Sequence, residues 1–216
     1  NLRIAAILDE MAELERIRSV DEFQICLSGD ARELPGATTL VRAMKHRVAT
    51  EIGPAIRFSA GIGPNHLLAK IAGKLEKPDG CQWLSPRNMP DRLAHLKLDD
   101  LPGISRGTVE KLYRARVFDI PALYKLDPRH ARAIWRSIEG ERFVRALQGE
   151  YIPLVETERG GYGNSKILSP DNRHIKNAYL VGRWLVEKSC ARLRRDGRVA
   201  SSFSLSASFG DKAGWG

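Results

Sequence analysis

With 216 residues, 43% hydrophobic and 28% charged, the chain has room for one large domain or two to three small ones and the composition of a soluble globular protein. Its cysteines, Cys26, Cys81 and Cys190, are too scattered for a disulfide framework or a cysteine-held metal, and no apolar run nears the roughly 20 residues of a membrane span. The net charge of +9 is uneven: residues 1–85 carry 11 basic and 11 acidic side chains, residues 86–150 carry 13 and 9, and residues 159–216 carry 11 and 4. That gradient fits a polyanion held by the C-terminal half, or merely a basic soluble protein. A reducing compartment is expected, with no membrane partner and no secretory leader. The start at Asn1 and the end after a strand-like run read as a fragment with both ends cut.

Leu2 to about Glu13 has helical periodicity, with Leu2, Ala5, Ala6, Leu8 and Met11 on one face. Two strand-like runs follow, Leu14–Arg18 and Phe23–Leu27, around Ser19-Val20-Asp21-Glu22. Adjacent side chains of a strand point to opposite faces, so two neighbouring carboxylates meet one ion only at a bend. The pair reads as a divalent-metal site, since hard cations take oxygen ligands, or as a solvated hairpin turn. Gly29-Asp30 and Pro35-Gly36 mark turns, and a helix is expected over about 38–51.

Ile56–Gly63 reads as a strand. A helix from Pro64 follows, with Leu67, Leu68, Ile71, Ala72 and Leu75 as its core stripe and Lys70, Lys74 and Lys77 on another part of its surface. Cys81–Leu84 is a short strand. Helices over a mainly antiparallel sheet are expected up to about residue 85. The chain then becomes all-helical to about Gln148. In Leu101-Pro102-Gly103-Ile104-Ser105-Arg106-Gly107-Thr108, a glycine turn opens directly into a helix whose Val109 and Leu112 face inward. Unpaired amides at a helix N-terminus hold anions, so this reads as a hairpin gripping nucleic-acid backbone, or as an ordinary turn between helices. Helices are expected over about 129–138 and 141–147.

Gly149–Gly163 lacks periodicity and reads as a linker. A strand near 165–168, a helix over about 174–195 and a strand over 199–209 follow. Ala178, Val181, Leu185, Cys190 and Leu193 are inward candidates on that helix, and Phe203, Leu205, Ala207 and Phe209 alternate with serines. Lys188, Arg192, Arg194, Arg195 and Arg198 cluster near the helix end, as a phosphate-tracking surface or a solvated terminus.

Taken in order, several of these stretches resemble the Y family of lesion-bypass DNA polymerases, DinB/UmuC-like, in a divergent subgroup. Ser19-Val20-Asp21-Glu22 is similar to its S-x-D-E catalytic motif. Ser59–Asn65, Leu68–Ala72 and Lys77-Pro78-Asp79-Gly80 resemble its palm, Leu101–Leu112 its thumb helix-hairpin-helix, and Gly140–Glu150 the end of that thumb. The resemblance implies an α+β chain: partial palm at 1–85, all-helical thumb at 86–150, linker at 151–163 and part of a basic little finger at 164–216.

The resemblance further implies primer extension by two-metal nucleotidyl transfer in DNA repair and damage tolerance. Two Mg²⁺ ions would serve the complete protein, with Asp21 and Glu22 as catalytic metal ligands and Lys77, otherwise a helix-end lysine, on the nucleotide triphosphate. Gly103, Ile104, Ser105, Gly107, Lys111, Lys166, Arg192, Arg194 and Arg195 would bind DNA. Primer-template DNA and dNTP are the implied partners, with a sliding clamp or repair-assembly subunits beyond them, and the location is cytoplasmic, nucleoid-associated if bacterial. The family's first metal-binding Asp and its fingers belong to sequence before Asn1, so the isolated fragment is expected to be inactive. Phe23-Gln24-Ile25-Cys26, Ser105 and Asn164-Ser165-Lys166 depart from the family pattern. The rival expectation is a catalytically silent, polymerase-like DNA-binding subunit. A plain helix-hairpin-helix protein without the palm is the third.

Overall fold

The computed structural model describes residues 2–153 and 160–208, which fall into two compact units, one ending at Pro153 and the other following it. In the first, α1 (Leu2–Met11) packs on α2 (Leu34–Glu51). Ala5, Ile7 and Leu8 of α1 are buried, as are Ala37, Val41, Met44 and Val48 of α2. Leu2 and Ala6, expected on the inward face, are exposed. The face is centred on Ile7 and Leu8 instead, because burying Ile7 removes more apolar area from water than burying Ala6.

α2 begins four residues earlier than its periodicity suggested. Pro35 sits in its first turn, where its missing N–H costs nothing, so Pro35-Gly36 is part of the helix and not a turn. Between the two helices, β1 (Leu14–Ile17) and β2 (Phe23–Ile25) form an antiparallel hairpin, Ile17 opposite Phe23, with an irregularity between Leu14 and Arg16.

β3 (Ala60–Ile62), α3 (His66–Leu75) and β4 (Cys81–Trp83) make a strand–helix–strand unit, and its two strands are parallel. The expected mainly antiparallel sheet is therefore corrected to two separate pairs, one of each kind. Parallel neighbours need a crossover, and α3 supplies it. α3 lies so close to β3 that a Cβ on Gly61 would meet the Ala69 carbonyl oxygen at 1.8 Å and the Gly73 amide at 2.3 Å. Glycine is required there by contact, not by backbone angle. α3 starts at His66, not Pro64, since Asn65 caps it by accepting the Leu68 amide at 2.9 Å.

Leu68, Ile71 and Ala72 of α3 belong to one apolar cluster with Leu84, Leu93, Leu101, Ile104, Leu112, Leu123, Val144 and Leu147. The stripe expected on α3 thus packs into the helical segment that follows. That segment holds α4 (Arg106–Arg114), α5 (Ile120–Tyr124), α6 (Pro128–Trp135) and α7 (Ile138–Leu147). Ser105, Asp119, Asp127 and Ser137 each cap the helix after them. α6 and α7 pack tightly because Gly140 lets α7 approach the Ala131 carbonyl, where a Cβ would stand at 2.5 Å.

The second unit contains α8 (Ile175–Arg195), along which the Gly163-Asn164 segment lies, Asn164 Nδ2 donating to Ser189 Oγ at 2.6 Å. The expected inward residues of α8 are only half-buried, and none is fully buried. Residues 165–168 and 199–208 form no strand. A strand is held by a hydrogen-bonded neighbour, and neither segment has one among the described residues. Phe203 and Leu205 are exposed despite their alternation with serines. Residues 154–159 of the expected linker and Phe209 lie outside the described residues.

Candidate active site and nucleic-acid interface

The β1–β2 turn is closed by the amides of Arg18 and Ser19, which both donate to the Glu22 carbonyl at 2.8 and 3.3 Å. This presents two successive carboxylates on one rigid bend. The Ser19 hydroxyl donates to Asp21 Oδ1 at 2.6 Å. That bond, then the backbone amide of Asp21 itself, then the charges of Lys77 and Lys70 hold the Asp21 carboxyl below its ordinary range. Asp21 is therefore an exposed anion at neutral pH.

Glu22 is half-buried and turned toward α3. Lys70 Nζ donates to its Oε2 at 2.7 Å, and His66 Nε2 lies 4.0 Å from its Oε1. Burial first, then the Arg18 charge, keep the His66 imidazole below its usual range against the opposing pull of Glu22. His66 is thus neutral at pH 7, and Lys70 supplies the positive charge. Lys70 thus pairs with Glu22, and the charges of Lys77 and Lys70 both act on Asp21.

The sequence places Lys70 on the surface of this helix without a role in the site, and His66 was not singled out. Their signal was the i, i+4 spacing, which stacks them on one helix face.

Two adjacent carboxylates, one with a free oxygen, are the hard donors that a divalent cation takes. No group of three or more His, Cys, Asp and Glu side chains is arranged for a metal among the described residues. Asp21 and Glu22 therefore fit such an ion as part of a coordination sphere whose other oxygens come from elsewhere.

Around Gly103 the chain takes a φ of +91°, which glycine adopts without strain. A 3-10 turn, Leu98–Asp100, precedes it where an α-helix was expected. Asp100 accepts the Lys97 amide at 2.8 Å and closes that turn, and Pro102 discourages helix before it. Ser105 Oγ accepts the Thr108 amide at 3.3 Å. The amides of Arg106 and Gly107 find no acceptor among the described residues.

The other residues expected at DNA sort differently. The Ile104 side chain is buried in the core, and its amide donates to the Leu101 carbonyl at 3.2 Å. Lys111 reaches the Trp135 carbonyl at 3.4 Å, complementing the C-terminal end of α6. In the second unit Lys166 and Lys188 flank the Trp184 ring at 5.6 and 4.9 Å. Arg192 donates to the Gly163 carbonyl at 3.2 Å and lies over the Tyr162 ring. Arg195 sits 3.7 Å from Asp196, and Arg194 is exposed.

The model of the impB/mucB/samB family matches residues 1–74, the stretch carrying the hairpin carboxylates and most of α3. DNA polymerase IV 1 of Bacillus subtilis is 29% identical over 209 residues, 95% of this chain and 50% of that relative. DNA polymerase IV of Methanoculleus marisnigri is 34% identical over 128 residues, 59% of this chain and 34% of the relative. The chain is similar to DinB/UmuC-like Y-family polymerases. The same fold is found in a Y-family DNA polymerase chimera, with a TM-score of 0.65 and 19% identity over 88% of this chain and 56% of that one. DinB from Sulfolobus solfataricus gives a TM-score of 0.58 at 18% identity over 88% and 56%. The chain spans about half the length of the curated relatives it matches.

Proposed function

We propose that this chain is the carboxylate-bearing and DNA-gripping portion of a lesion-bypass DNA polymerase that extends a primer by nucleotidyl transfer. The observation that carries the reading is the bend at Asp21 and Glu22, two acids beside two lysines. Asp21 and Glu22 hold divalent cations, Mg²⁺ in the first instance, which when bound lower the charge barrier to attack on the triphosphate. Lys77 pairs with the incoming triphosphate, and its fixed charge offsets the charge gathering on the leaving pyrophosphate. Lys70 orients the Glu22 carboxylate.

Residues 86–150 act as the thumb. The Gly103–Gly107 turn is its hairpin, and the uncommitted amides of Arg106 and Gly107 face DNA phosphate. Residues 164–216 act as part of the little finger, with Lys166, Arg192, Arg194 and Arg195 along the backbone of primer-template DNA. The relatives named DNA polymerase IV support this assignment, as do neighbours that include an insertion ternary complex of Dbh DNA polymerase.

Primer extension by the full-length protein tests it. Replacing both Asp21 and Glu22 by Ala abolishes extension while DNA binding persists, and unchanged extension would refute the site. Binding of duplex DNA to this chain falls steeply with salt and shows little sequence preference.

A further inference from the structure

The turn that carries Lys77 is tied down from two directions. On one side the Ser59 hydroxyl donates to the Glu76 carbonyl at 3.2 Å and accepts the Gly80 amide at 3.3 Å, bridging the two ends of residues 76–80. A Cβ on Gly80 would stand 2.1 Å from the Glu76 carbonyl oxygen, so the turn closes tightly on itself. On the other side Lys45 reaches in from α2. Its Nζ donates to the Asp79 carbonyl, donates to the Gly80 carbonyl at 3.1 Å, and pairs with Asp79 Oδ1 at 3.0 Å. The ammonium also lies 5.9 Å from the Phe58 ring centroid.

The Lys45 side chain is only 20% exposed, an unusual condition for a lysine, and its three donors are directed at three oxygens of one turn. α2 is itself anchored by Val41, Met44 and Val48, so the ammonium is held from a fixed base. Lys77, by contrast, is exposed, and its charge already acts on Asp21.

We infer that Lys45 is a positioning residue for the nucleotide: by locking the Asp79-Gly80 end of the turn it fixes where Lys77 presents its charge to the triphosphate. The inference rests on the assignment of Lys77 to the triphosphate. Lys45 touches neither nucleotide nor DNA. Its loss weakens nucleotide binding because Lys77 must then be ordered at the moment of binding, at the expense of affinity.

The test is steady-state primer extension by the full-length protein as wild type, Lys45→Met, Lys45→Arg, Lys77→Ala and the Lys45→Met/Lys77→Ala double variant. Lys45→Met raises the KM for dNTP about tenfold, the effect of losing a hydrogen bond to a charged group. Its kcat and DNA affinity stay at the wild-type level, and Lys45→Arg recovers most of the loss. In the Lys77→Ala background Lys45→Met has no further effect, since two residues acting as one unit are not additive.

An equal effect in both backgrounds, or a change confined to kcat, overturns the inference while leaving Lys77 on the triphosphate. If Lys77→Ala leaves KM unchanged, the Lys77 assignment fails and the inference falls with it. Should Lys45→Met not fold, Asp79→Asn removes only the ion pair and carries the same test: a smaller KM rise, absent in the Lys77→Ala background, supports the inference, and no rise sinks it.

Discussion

Asn65 Nδ2 donates to the Ala146 carbonyl across 2.7 Å, and with its second hydrogen to the Glu150 carbonyl at 2.9 Å, while its Oδ1 caps α3. Asn65 is the one buried polar side chain among the described residues. It ties the start of the helix that carries His66 and Lys70 to the end of the four-helix segment.

Cap and tie are separable. Ser at position 65 still caps α3 but is too short to reach either carbonyl. Asn65→Ser leaves the part-buried Glu150 carbonyl without this donor and the buried Ala146 carbonyl to the Gly149 amide, and lowers stability by about 1–2 kcal/mol in denaturant titration. Asn65→Ala also loses the cap and costs about 1 kcal/mol more. Equal losses in the two variants would show that only the tie matters, and no loss in Asn65→Ser that only the cap does.

Lys70 and Glu22 are both about one-third exposed, so their pair is partly screened. Lys70→Met is expected to change stability by about 1 kcal/mol or less. The same variant lowers extension by the full-length protein about tenfold or more, because the Glu22 carboxylate loses the partner that fixes its rotamer. A fall in activity matched by an equal fall in folded fraction would remove the special role of Lys70.

Two glycines of the family-like motifs serve different ends. Gly61→Ala drives a methyl into the Ala69 carbonyl and the Gly73 amide, separating α3 from β3, and costs about 3 kcal/mol or more. At Gly107 the nearest atom to an added Cβ is Ser105 Oγ at 4.0 Å. Gly107→Ala is therefore neutral or stabilising by up to about 1 kcal/mol. It nonetheless weakens DNA binding, because the methyl stands over the amides offered to phosphate. Thermal melts and a binding isotherm on the same two variants check both statements.

Arg145 pairs with the carboxylate of Glu150 through two nitrogens and holds its carboxyl below the usual range, the Arg145 hydrogen bond being the largest cause. A depressed carboxylate pKa adds stability above the unfolded-state value, and that stability is lost as pH falls through the folded value. Glu150→Gln removes this acid-side dependence. In stability measured from pH 7 to pH 2, wild type and variant diverge above about pH 4 and converge below it. The exposed position keeps the difference small.

Much of this arrangement was legible in the residues. The bend between two strands at Asp21-Glu22, the stripe on α3 and the Gly103 turn follow from alternation, helical spacing and glycine punctuation. What was not legible involves partners distant in sequence. Lys70 read as a surface lysine because nothing in a linear pattern reveals that a hairpin 48 residues earlier lies across its helix. The parallel pairing of β3 and β4 was hidden because three-residue strands carry too little pattern to assign direction. Strand signals at 165–168 and 199–208 were genuine alternation, but pairing is decided by a neighbour and not by the segment itself. Lys111 read as a DNA contact from its position in a motif, and nothing in that motif reveals that its ammonium also reaches the Trp135 carbonyl of α6.

Along α3 the capping tie at Asn65 and the acid-holding Lys70 are spaced by a rod that rises about 1.5 Å and turns about 100° per residue. The helix therefore behaves as a ruler. Removing a single residue between Asn65 and Lys70 would swing the ammonium a quarter-turn away from Glu22, whereas the hairpin and the connections outside the rod can lengthen without disturbing that spacing. Length within this helix is therefore as constrained as the identities of Asn65 and Lys70.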